Sequence, residues 1–185
     1  KGSIKINNIE IKKHNLFNLR FNMGYVPQDG YLFSGTIRDN IAFSSNNKNE
    51  KDIINAARKA EILDEINKFP KGFDTIIGER GIQLSGGQRQ RIAIARTFYK
   101  KPNIFIFDDC LSAIDTNKEQ KILRNMHVES QNKSTIIISH RIKSIQKADN
   151  IIVLEKGEII EQGTHKDLLN YKGLYYNIFI SQNNI

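Results

Sequence analysis

Two short stretches of this 185-residue chain carry residue types suited to phosphate chemistry. The first is Leu84-Ser85-Gly86-Gly87-Gln88, followed by Arg89-Gln90-Arg91-Ile92-Ala93-Ile94-Ala95-Arg96. Two glycines opening a helix leave free backbone N–H groups at the positive end of the helix dipole, where a phosphate binds well. Only glycine lets a phosphate approach such a backbone closely, and Ser85 adds a hydroxyl donor. The second stretch follows twenty residues after Gln88, where the apolar run Ile104–Phe107 ends in Asp108 and Asp109. A strand that ends in carboxylates is a place for Mg²⁺. Together the two imply a nucleoside triphosphate. The phosphate loop that usually accompanies them, Gly-x-x-x-x-Gly-Lys-Ser/Thr, occurs nowhere in the sequence.

The elements that must position these groups read as an α/β domain. Ile4, Ile6, Ile9 and Ile11 alternate around an Asn7-Asn8 turn, predicting a hairpin. Met23–Val26 is a short strand stopped by Pro27. Residues 36–42 predict a short helix. Ile53, Ala57, Ala60 and Leu63 form one helical face across 51–66. The stretch 70–83 is loop-rich, and a helix is expected from about Gly86 to Tyr99, before Pro102. Ile104–Phe107 is expected to be buried on both faces of a parallel sheet, and Thr135–Ile138 to be a second buried strand ending at Ser139-His140. Thr116 with Glu119 predicts a capping box for a helix to about Val128. Lys156-Gly157 joins two strands, Ile151–Leu154 and Glu158–Glu161, and two helices follow near 165–170 and 174–182. Strands alternating with helices imply a mainly parallel sheet, with the block from about residue 36 to 99 a helical subdomain.

Bulk properties exclude little. The length fits one domain or most of one, and 39% apolar residues support a core. The net charge of +8 comes from 28 basic and 20 acidic residues spread along the chain. With no basic block and no aromatic interleaving, that charge is compositional and does not predict nucleic-acid binding. No apolar run approaches the ~18 residues of a membrane span. The single cysteine, Cys110, excludes an internal disulfide and reads as a small buried residue rather than a nucleophile.

With these residues in view, the chain resembles the nucleotide-binding domain of an ABC transporter, more narrowly the exporter type. The resemblance rests on Tyr25-Val26-Pro27-Gln28-Asp29, the Leu32–Ile41 stretch, Gly78-Glu79-Arg80-Gly81, the Leu84–Gln88 signature, Phe107-Asp108-Asp109, Leu111–Asp115 and Ile138-Ser139-His140-Arg141, in family order and spacing. It implies a P-loop NTPase-type fold, α/β with a mainly parallel sheet and a helical subdomain. Residues 1–28 and 100–185 would form the core and about 29–99 the helical subdomain with the signature. The first strand, the adenine-stacking aromatic and the phosphate loop would precede residue 1, making this an N-terminally truncated domain with transmembrane helices further upstream.

The resemblance also implies roles. Ser85, Gly86, Gly87, Gln88 and Asp115 would bind ATP, the signature reaching the γ-phosphate held by a second nucleotide-binding domain in a head-to-tail dimer. Asp108 and Gln28 would serve Mg²⁺. Gln28, Asp109 and His140 would be catalytic, with Asp109 polarising the attacking water and His140 contacting the γ-phosphate. Asp109 departs from the family, which usually has glutamate there. Its carboxylate is drawn back by roughly 1.5 Å, one C–C bond, and a misplacement of about 1 Å can cost about a hundredfold in rate. An intact signature beside a shortened acid is the pairing expected of the degenerate-site subunit of a heterodimeric exporter. A homodimer with slow turnover, a non-hydrolytic regulatory half-site and a DNA-repair or chromosome-structuring ATPase are the alternatives. The expected partners are the second nucleotide-binding domain and a transmembrane domain, at the cytoplasmic face of the cell membrane, with no nucleic acid.

Overall fold

A computed structural model describes residues 2–45, 47–78 and 82–183. The exporter-type loop Gly78-Glu79-Arg80-Gly81 therefore lies mostly outside the described residues. The chain divides into two compact units, Lys1–Ile136 and Ile137–Ile185.

The first unit begins with an antiparallel hairpin of β1 (Lys5–Ile6) and β2 (Ile9–Glu10). Its turn residues Asn7 and Asn8 have φ of 50° and 64°, the left-handed pair that a two-residue hairpin turn needs and asparagine tolerates. Helix α1 (Leu16–Asn22) leads into β3 (Met23–Val26). The short β4 (Gly35–Thr36) pairs with β5 (Ile76–Ile77). Between them run α2 (Ile37–Ile41), α3 (Glu50–Lys59) and α4 (Leu63–Ile66). Then come α5 (Gly86–Lys100), β6 (Ile104–Asp108), α6 (Thr116–Glu129) and β7 (Ser134–Ile138). The main sheet has the order β3-β6-β7, and β3 pairs with β6 in parallel, Tyr25 opposite Ile106 and Val26 opposite Phe107.

Three expectations need correction. The single helical face across 51–66 is broken. Glu61 has φ 54°, with Glu61 N–H donating to Arg58 O and Ile62 N–H to Ala57 O, so α3 ends in a Schellman motif without glycine. That break turns α4 onto a new line. The sheet is covered on one face only, since burial alternates along β6. Val26, Phe105 and Phe107 are buried, whereas Tyr25 is 55% exposed, and β7, expected to be buried, has no buried residue, with Thr135, Ile136 and Ile138 all exposed. An all-apolar run reads as doubly covered, yet among the described residues only one face is packed. Finally, α6 is capped by Asp115, whose side chain accepts from Lys118 N, one residue before the expected Thr116.

The core of this unit is built around α5, whose Ile92, Ala93, Ile94, Ala95 and Phe98 are buried. It packs against α2, α3 and β3.

The second unit holds α7 (Ile142–Ile145), the antiparallel β8 (Ile151–Glu155) and β9 (Glu158–Gly163), α8 (His165–Tyr171) and α9 (Leu174–Asn183). The expected hairpin turn forms at Lys156 and Gly157, with φ of 50° and 85°. Ile142, Ile151, Leu168 and Tyr175 make its core. The buried Glu161 carboxylate accepts from Leu174 N and Tyr175 N, supplying the N-terminal donors of α9 with a partner.

Candidate functional site

The signature forms the first turn of α5. Ser85 is its N-cap, with Ser85 Oγ accepting from Gln88 N at 3.2 Å and Gln88 Oε1 accepting from Ser85 N at 2.9 Å, a reciprocal capping box. Ser85 and Gly86 are exposed. Because Ser85 Oγ accepts in the box, its own proton stays free to donate outward, beside the Gly86 and Gly87 N–H groups that have no intrahelical partner. Gln88 turns inward: its Nε2 donates to Glu65 Oε2 at 2.9 Å. At Gly87 an added Cβ would stand 2.8 Å from Ala113 O, so the signature lies directly on the Ser112–Asp115 turn.

The strand-end acids are set by β3 and β6 running in parallel. Both strands end at one edge, which brings the exposed Gln28, just past Pro27, to the edge that carries Asp108 and Asp109. Tyr25 Oη donates to Asp108 Oδ2 at 3.0 Å, and the same bond raises the tyrosine's pKa. Asp109 has φ 41°, a left-handed conformation that aspartate tolerates better than most side chains. Its carbonyl accepts from Ser112 Oγ at 3.1 Å, closing the turn toward Asp115. Cys110 is 2% exposed, and burial pushes its thiol up to about 12, which fits a packing residue.

Among the described residues no three His, Cys, Asp or Glu side chains gather into a metal site. Mg²⁺ needs no such cage, because it is held by one or two carboxylates with water and substrate phosphates. Asp108 with Gln28 nearby fits that pattern.

A buried glutamine fastens the Gln28 loop to α5. Gln90, 2% exposed, donates from Nε2 to Pro27 O at 2.9 Å. Gly30 sits so close that an added Cβ would meet Gln90 N at 2.7 Å and Arg89 C at 2.8 Å. His140 belongs to the second unit, where Gln182 Nε2 donates to its carbonyl at 2.6 Å and Gln182 Oε1 accepts from Ile142 N at 2.9 Å.

Two features escaped the sequence reading. Glu65 accepts from Gln88, Arg91 and Lys118. Burial alone would raise its pKa, but these donors hold it down to about 2. The other is an aromatic patch. The Phe33 and Phe43 rings stack at 4.3 Å with Tyr31 edge-on to Phe33 at 5.2 Å, and all three are exposed. Arg96 lies over Phe33 at 5.2 Å and donates to Asn40 Oδ1 and Tyr31 O. The buried Asn40 ties this loop together through Phe33 N, Phe33 O and Thr36 O. The Leu32–Ile41 stretch therefore builds a surface.

A Ser-Gly-Gly-Gln turn on a helix N-terminus and paired acids at a parallel strand end stand together on this α/β fold, the fold of an ABC-type ATPase domain. The ABC transporter family profile matches residues 1–112, and the chain belongs to that family, whose members are generally ATPases. Its relatives include exporters. It is 43% identical over 182 residues to an ATM1-type heavy metal exporter of Novosphingobium aromaticivorans, covering 98% of this chain and 30% of that protein. It is 42% identical to ABC transporter B family member 24, mitochondrial, of Arabidopsis thaliana, covering 98% of this chain and 27% of that protein. The solved structure of a bacterial Atm1-family ABC exporter with ATP bound superposes with a TM-score of 0.93 at 43% identity, over 99% of this chain and 32% of that chain. The chain thus spans about a third or less of the length of the relatives it matches.

Proposed function

We propose that this chain belongs to the ATP-binding part of an exporter, a nucleotide-binding domain that pairs head to tail with a second one around ATP and drives a transmembrane domain from the cytoplasmic face. The observation that carries this is the first turn of α5, with Ser85 Oγ, Gly86 N and Gly87 N presented outward and locked by the capping box. Such a turn binds the γ-phosphate of a nucleotide seated on the partner. The exposed Tyr31–Phe33–Phe43 patch supports the transmembrane partner, because contiguous exposed aromatics mark a protein interface.

At this chain's own half-site, Asp108 would hold Mg²⁺, which neutralises charge on the phosphates. Gln28 offers its amide oxygen to the metal or the attacking water. Asp109 would orient that water from a carboxylate one methylene short of glutamate's reach; His140, on the second unit, is assigned to the γ-phosphate by its place in the Ser139-His140-Arg141 motif alone. The Asp109 departure favours a half-site that binds ATP and turns it over slowly, as in the degenerate site of a heterodimer.

The test is twofold. The exporter containing this chain hydrolyses ATP, and Ser85→Ala lowers that turnover. The chain by itself, whose sequence lacks the phosphate-loop lysine, shows no appreciable hydrolysis; a turnover above about 0.1 s⁻¹ counts against this.

A further inference from the structure

Glu65 sits on α4, outside every motif that carries the family resemblance, yet three stretches converge on its carboxylate. Gln88 Nε2 donates to Oε2 at 2.9 Å, Arg91 Nη1 to Oε1 at 2.6 Å, Arg91 Nη2 to Oε2 at 3.1 Å and Lys118 Nζ to Oε1 at 2.8 Å. A carboxylate has about four lone-pair sites, so this one is saturated. Arg91, whose side chain is 5% exposed, also donates from Nε to Gly87 O at 3.1 Å and from Nη1 to Glu61 O at 2.6 Å. Lys118 lies 3.6 Å from Asp115 Oδ2, and Asp115 caps the backbone of the same lysine.

We infer that Glu65 is a positioning residue that locks the signature turn and the Asp115 turn into one body, so that both meet the partner's nucleotide together. The inference rests on the proposed reading that the signature contacts that nucleotide. Its physical basis is the number and direction of the bonds. Gln88 is held from one side by the Ser85 backbone and from the other by Glu65, which leaves its rotamer no freedom. Arg91 grips the carbonyl of Gly87, the residue that packs on Ala113 O. Lys118 carries the same restraint into the first turn of α6. No part of this depends on Glu65 touching ATP. The Schellman break at Glu61 is what delivers α4, and therefore Glu65, to this point.

The experiment is steady-state ATP hydrolysis by the intact exporter carrying Glu65→Gln, Lys118→Met, Lys118→Arg or Ser85→Ala, each with its thermal midpoint. Glu65→Gln leaves Arg91 buried without its anion and can fail to fold, so Lys118→Met is the decisive variant. That change removes one part-exposed donor and keeps the Arg91 pair. We expect kcat to fall roughly two- to fivefold, the range set by a single such ion pair. KM for ATP should stay within about twofold because the tether acts on closure, the thermal midpoint should fall by no more than the loss of one part-exposed ion pair allows, and Lys118→Arg should recover most of the kcat loss. Wild-type kcat in Lys118→Met alongside an impaired Ser85→Ala overturns the positioning role and leaves the signature reading intact. An unimpaired Ser85→Ala overturns both. A kcat loss that tracks a lowered midpoint and is not recovered by Lys118→Arg marks a purely structural contact and also overturns the proposal.

Discussion

Gly30→Ala is the substitution whose effect follows most directly from the coordinates. An added Cβ would lie 2.7 Å from Gln90 N, 2.8 Å from Arg89 C and 2.9 Å from Gln90 Cα, where ordinary contact begins near 3.4 Å. Each approach is short by more than the few tenths of an ångström that a neighbour can give, and all three atoms are backbone in the first turns of α5. The helix cannot yield, because its next residues are fixed by burial, Arg91 at 4% exposure and Ile92 at 0%. The loop must move instead, by about 0.5 Å or more, at an overpacking cost of about 1–3 kcal/mol. That displacement also stretches the 2.9 Å bond from Gln90 Nε2 to Pro27 O, worth about 1 kcal/mol more. The expected loss is therefore about 2–4 kcal/mol in denaturant unfolding, with Gly2→Ala, where nothing lies within 4 Å, as the neutral control. Gln28 travels with the loop, so turnover of the exporter should fall by about ten- to a hundredfold. A Gly30→Ala chain within about 0.5 kcal/mol of wild type, or an exporter with unchanged turnover, refutes the reasoning.

Asp109→Glu should raise hydrolysis at this chain's half-site at least severalfold, at a small stability cost because φ is 41° there; site-resolved turnover that does not change sinks the degenerate-site reading. Glu65, held at about 2 against an ordinary 4.5, stabilises the fold above about pH 4.5 and loses that contribution as pH falls toward 2. The unfolding free energy read from urea titrations should therefore drop by roughly 2–3 kcal/mol between about pH 5 and pH 2, and a flat profile would contradict the network. Cys110, with its thiol pushed up to about 12, should resist alkylation at about pH 8 until the chain is unfolded; rapid labelling of the native protein would show that it is not buried.

Much of the fold was legible because local chemistry decided it. Asn7-Asn8 and Lys156-Gly157 announce their hairpins, and Pro27 and Pro102 stop β3 and α5 where expected. The signature announces a helix start, and Ser85 caps it. What stayed hidden depends on tertiary context. Glu61 gives no sign that it will adopt a left-handed φ, so the break between α3 and α4 was invisible. Asp115 and Thr116 are both good caps, and only the coordinates choose between them. An isoleucine-rich strand cannot say how many of its faces are covered. Glu65 pairs with Arg91 across 26 positions, a separation that no periodicity encodes.

Helix α5 is a single stiff rod. Its fifteen residues span about 22 Å. The Ser85-Gly86-Gly87 turn is at one end, Gln90 clasps the Gln28 loop one turn in, and Arg96 carries the aromatic patch about 15 Å from Gly86. It contains no proline and no interior glycine beyond its first turn, so it has no place to hinge. It behaves as a push-rod. A displacement of the Ser85–Gly87 turn would therefore move the Arg96 end, and the Tyr31–Phe33–Phe43 surface it holds, by nearly the same amount.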